Sequence, residues 1–172
     1  MSDSLADRLK KLAEQEKKGR EAEQEVTNFQ QRVSDFISDK AQPEYDRLLS
    51  MLSKRLEEIN PSLGTELPQF QFNLASRMIQ QGNSVAVIHF DKPITNRPDN
   101  ALLVSFGPHP HVQYFLEAPP ASKRYRLQAA ASDSLDRIVW VGDLGELETQ
   151  QVVDFIIESL TTYYLEHKPR QS

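Results

Sequence analysis

The sequence predicts an α+β protein: a six-stranded antiparallel meander sheet with N-terminal helices and one C-terminal helix packed on it. Three observations lead there. Residues 2–40 hold one glycine and no proline, as uninterrupted helix requires. Proline and glycine then recur at 61–68, 82, 93–98, 107–110, 119–120 and 142–145, with short β-rich runs between them; this is the punctuation of strands joined by brief links. Near the end, Val152, Val153, Ile156, Ile157, Leu160, Tyr163 and Tyr164 form a wide apolar stripe at helical spacing.

The first helix opens at Ser4, with Asp7 three residues on in a capping-box-like position. Its apolar seam is broken. Leu5, Leu9 and Leu12 begin it, and it resumes only at Val26, Phe29, Val33 and Phe36. Between the halves, eight of the twelve residues from Glu14 to Glu25 are charged. Glu14 with Lys18, and Glu16 with Arg20, are i,i+4 pairs worth about 0.2–0.5 kcal/mol each, and Gly19 returns about 1 kcal/mol. The middle therefore needs a neighbour to stay helical. Residues 1–25 are expected to be a polar arm, 26–168 a single α+β domain, and 169–172 a tail.

Pro43 suits the first turn of a second helix, where its missing N–H costs nothing; Gln42-Pro43 is either that break or a kink in one long helix. Tyr45, Leu48, Leu49, Leu52, Leu56 and Ile59 make the core-facing stripe, and Asn60-Pro61 is expected to end it. Six strand runs follow. Phe70, Phe72 and Leu74 alternate with polar residues, and Gln81-Gly82-Asn83 is a hairpin signal. The others are Ser84 to Phe90, Ala101 to Phe106, His111 to Glu117, Arg124 to Ala130 and Arg137 to Gly142. Val85 to Ile88, Ala101 to Val104 and Ile138 to Val141 are apolar on both strand faces, which an antiparallel sheet open on one side does not need. Either the arm or another subunit would cover the second face. The last helix starts at Asp143 or at Thr149 and stops at Lys168-Pro169.

At 172 residues the chain buries a sizeable core without staples. A net charge of −5 argues against a protein whose work is neutralising phosphates. Zero cysteines exclude disulfides, thiolate catalysis and cysteine-ligated metals, and fit a reducing compartment. No apolar run approaches the roughly 18 residues of a spanning helix. The expectation is a cytoplasmic protein without cofactor, nucleic acid or membrane partner.

Candidate chemistry is thin. His109-Pro110-His111 is an H-x-H pair, but it sits in a proline-rigid turn without a carboxylate nearby in sequence. Ser105 lacks a nucleophile elbow. Gly142-Asp143-Leu144-Gly145 meets neither phosphate-loop pattern and is read as a strand-to-helix turn with a cap. Lys123-Arg124-Tyr125-Arg126 places Arg124 and Arg126 on one strand face, a solvated face or a weak anion contact. Asp91 begins the longest link of the body, a rim for a small cleft. Asp91, His109, His111, Arg124 and Arg126 are thus the candidate ligand or anion contacts, and no catalytic or metal residue is named.

The arm carries the functional expectation. Leu5, Leu9, Leu12, Val26, Phe29, Val33 and Phe36 are the candidate partner-binding residues, in a coiled-coil-like segment that meets a second copy or a partner protein; the alternative is that residues 26–40 dock on the chain's own sheet and leave the start of the helix solvated. The expected function is a non-catalytic protein-interaction module, a homodimer joined through its arm or sheet face. The alternatives are a small-molecule binder with a pocket between sheet and helix, or a chaperone-like binder. The outline is similar to secretion-chaperone folds by architecture alone, which says little about function.

Overall fold

A computed structural model describes residues 5–78, 83–92, 104–109, 113–118 and 123–167. The α+β class holds, with one long N-terminal helix, a C-terminal helix and antiparallel strands between them. Helix α1 (Leu5–Leu63) runs unbroken for 59 residues, about 89 Å at 1.5 Å per residue. The strands are β1 (Phe70–Met78), β2 (Asn83–Phe90), β3 (Val104–His109), β4 (Gln113–Ala118), β5 (Lys123–Ala131), β6 (Ile138–Gly142) and β7 (Gly145–Leu147), and helix α2 spans Thr149–His167.

The expected six-stranded sheet is corrected. Strands whose side chains are described fall in two small antiparallel groups, the pair β1–β2 and the triplet β5–β6–β7. Strands β3 and β4 join these groups by backbone pairing in chain order. The extra strand is β7. Gly142-Asp143-Leu144-Gly145, read as a helix entry, is a two-residue hairpin turn in which Gly142 pairs with Gly145. Gly145 adopts φ of +83°, and a Cβ on Gly142 would stand 2.0 Å from the Arg126 carbonyl oxygen. Only glycine fits either place at low cost. The hairpin signal at residues 81 and 82 and the start of the 101–106 run lie outside the described residues.

The N-terminal helices are one helix. Pro43 lies inside α1, where a proline removes a backbone hydrogen bond and costs about 3 kcal/mol. Tyr45, Leu48, Leu52 and Leu56 follow it, each at most 2% exposed. Burial of such side chains returns about 1.5–3 kcal/mol apiece, which outweighs the proline. Asn60-Pro61 does not end the helix either. Asn60 instead grips the backbone of Phe70 through both amide atoms (2.8 and 2.9 Å), and the helix stops at Gly64, whose φ is +69°.

Helices α1 and α2 cover one face of the strands. Phe70, Ile88, Phe90, Leu127, Ala129, Ile138 and Trp140 point at them, two residues apart on each strand. Both helices cross the strands in the same sense. At one end the Trp140 indole donates to the Thr149 hydroxyl (3.0 Å), which donates to the Glu44 carboxylate (2.5 Å). At the other, Tyr164 packs tilted against Phe70 and Phe90 with ring centroids 5.9 and 5.7 Å apart. The later of the two expected starts for α2 is the real one, with the Glu148 N–H bonded by the Gln151 side chain at 2.8 Å. The first of the two proposed covers for the second sheet face is removed, because α1 leaves the body rather than folding across it.

Candidate functional site

Every described residue of α1 from 5 to 32 is exposed. Those 28 residues make a rod about 42 Å long, of which Phe29 and Gln30, near the root, face β5 across a groove. Half-buried Val33, Phe36 and Ile37 mark where the helix reaches the sheet, and Ala41 is the first buried residue. On the rod, Leu5 is 75% exposed, Leu9 59%, Leu12 55%, Val26 57% and Phe29 47%. Packing of an apolar face, not propensity, stabilises most protein helices. From Leu5 to Val26 this face is left exposed, at 55% or more for each of its four large apolar side chains.

At the root of the arm the two parts of the molecule form a groove of about 670 Å³. Phe29, Val33, Ile37 and Ala41 of α1 make one wall, and Gln128 and Ala129 of β5 the other. The Arg32 guanidinium lies 5.7 Å from the centre of the Phe29 ring, which holds that ring at the groove's outer end. Of the partner-binding candidates, Phe29 and Val33 are therefore in one groove, while Leu5, Leu9 and Leu12 lie at the far tip. Ile37 and Ala129 were missed. Ile37 follows Val33 at i+4, a signal obscured by the neighbouring Phe36.

Of the candidate ligand contacts, Asp91, Arg124 and Arg126 have described side chains, and His109 has a described backbone. Asp91 directly follows β2, where its backbone N–H bonds the Gln69 carbonyl (3.0 Å) and its carboxylate accepts the Gln69 N–H (2.8 Å), a strand-end clasp. His109 ends β3 at its far end, because β2 and β3 pair antiparallel through Ile88 and Val104. His111 lies outside the described residues. Arg124 stands opposite Glu117, and Arg126 lies 3.8 Å from the Asp143 carboxylate. Asp143 also accepts the Arg126 N–H at 2.7 Å, so this acid holds the β6–β7 turn rather than a helix end.

Among the described residues two side chains have shifted acidity, and both serve the fold. Hydroxyls of Ser132 and Ser134 donate to Asp136 (2.6 and 2.7 Å) and hold its carboxyl below the usual range. Burial first, and the Asp91 charge second, push the Tyr164 phenol above its ordinary value. A shallow cleft of about 370 Å³ lies between β5 and α2, floored by Tyr125 and Phe155 and rimmed by Glu158 and Glu166. Among the described residues no group of three metal-ligating side chains exists, and no helix is long and apolar enough to cross a membrane.

Comparison with known proteins finds no matching family model, no matching curated protein and no matching solved structure.

Proposed function

We propose that this chain is a non-catalytic, cytoplasmic protein-interaction module that associates with itself through its helical arm. One observation carries this reading. Five large apolar side chains lie exposed on a rod of 28 exposed residues that projects from the body. Scattered exposed leucines are ordinary on a globular surface. An apolar seam along a projecting helix is different, because the helix itself depends on having that seam covered. The net charge of −5 and the absence of cysteine suit a protein partner in a reducing compartment.

The test is sedimentation equilibrium on the full chain and on the triple variant Leu5→Ser, Leu9→Ser, Leu12→Ser. The unmodified chain should sediment as a dimer and the variant as a monomer. The unfolding free energy of the body should hold within about 0.5 kcal/mol, since none of the three side chains packs in it. Equal masses for both proteins would overturn the reading.

A further inference from the structure

We infer that two copies pair their arms antiparallel, each seating its Leu5–Leu12 tip in the groove at the other's root; this rests on the self-association just proposed. The seam is broken in one protomer, and in that pair each apolar half is covered by the apolar half of the other copy. Leu5, Leu12, Val26 and Val33 are separated by multiples of seven residues, and Leu9 and Ile37 by 28, so the six share one heptad frame. The frame's remaining positions are Glu16, Gly19, Glu23 and Gln30. In an antiparallel pair centred at the level of residue 21, Leu5 faces Ile37 of the second copy and Leu9 faces its Val33. Leu12 lies beside Gln30 and Phe29, and the charged stretch meets itself at the centre. Each end of the pair is then apolar, and the polar middle sits on the two-fold axis, where one surface serves both copies.

Charge sets the orientation. Residues 5–20 carry six basic and three acidic side chains, a net of +3. Residues 21–40 carry two basic and five acidic ones, a net of −3. Antiparallel arms lay the basic tip along the acidic root at both ends. Parallel arms would lay like charge on like charge over the whole length, which costs what the opposite arrangement gains.

The groove supplies the third reason. Its α1 wall runs from Phe29 to Gln42, and the antiparallel register brings Leu5–Leu12 to the level of residues 30–37, within that wall. Beyond it, β5 takes over the same side of α1 at Ala41. A parallel partner would carry its own body into that space. In the antiparallel pair the two bodies stand about 60 Å apart along the arms, one at each end.

Because the chain has no cysteine, introduced thiols report without background. The full-length variants Leu9→Cys, Val33→Cys and Leu9→Cys/Val33→Cys are oxidised and run on a non-reducing gel. On one helix the two positions are about 36 Å apart, beyond any internal disulfide. The double variant should shift to a covalent dimer and each single variant should not. Glu16→Cys/Val26→Cys, at two exposed positions, should behave as the double variant does, and it covers a folding defect at Val33. Single variants that cross-link to themselves would establish parallel arms and overturn the inference. A chain that sediments as a dimer but cross-links in no combination would also overturn it, leaving self-association intact. A monomer by sedimentation would remove both.

Discussion

Thr149→Val tests the packing that holds the arm to the body. Thr149 is 3% exposed, and its hydroxyl both accepts from Trp140 Nε1 (3.0 Å) and donates to Glu44 Oε1 (2.5 Å). One oxygen thus links β6, α2 and α1, close to where α1 leaves the sheet. Valine keeps the shape and removes both bonds. The indole loses this acceptor in a fully buried site, which costs about 1–3 kcal/mol. Glu44 keeps its 2.8 Å bond to Arg47 and some access to water, so its loss is nearer 1 kcal/mol. Together the substitution should cost about 2–4 kcal/mol. With an m value of about 2 kcal/mol/M, the urea midpoint falls by about 1–2 M. Trp140 is the sole tryptophan, so its fluorescence follows unfolding from within the linked site. Thr149→Ser, which retains the hydroxyl, should fall less. A midpoint for the valine variant within about 0.2 M of the unmodified chain would refute the reasoning.

Gly142→Ala should cost about 3 kcal/mol or more in thermal unfolding, because its Cβ meets the Arg126 carbonyl oxygen at 2.0 Å; an unchanged Tm would show that the hairpin gives way freely. Tyr164→Phe should be neutral or stabilising by up to about 1 kcal/mol, since the buried hydroxyl has no hydrogen-bond partner among the described residues. The same variant tests the pH dependence. With the folded phenol raised above 10.0, the unfolded chain releases this proton first, so stability present below pH 10 declines as the pH climbs toward the folded value. Urea midpoints across that range should fall less steeply for Tyr164→Phe, and parallel curves would assign the decline to other groups.

Much of the body was legible from residue order, because burial on a face leaves a period. The α2 stripe and the alternation of Leu127 and Ala129 in β5 needed only spacing to recognise. What was lost was decided by contacts between distant residues. Pro43 reads locally as a helix start, yet the buried run from Tyr45 to Leu56 carries the helix through it. Asp143 resembles a cap, and its bonds to Arg126, 17 positions away in the chain, make it a hairpin residue. Asp91, a rim candidate by composition, is the clasp on Gln69. The arm's broken seam was visible, but the groove was not, since half of it belongs to β5.

The central claim is that the arm is covered by a second copy, and hydrogen exchange read against protein concentration tests it most directly. Amides of residues 5–37 should gain protection as concentration rises through the dimer's Kd, while amides of residues 45–63, packed in the protomer core, keep theirs unchanged. Arm protection that does not vary with concentration, over a range in which the chain's mass doubles, would place the association on another surface and contradict the account.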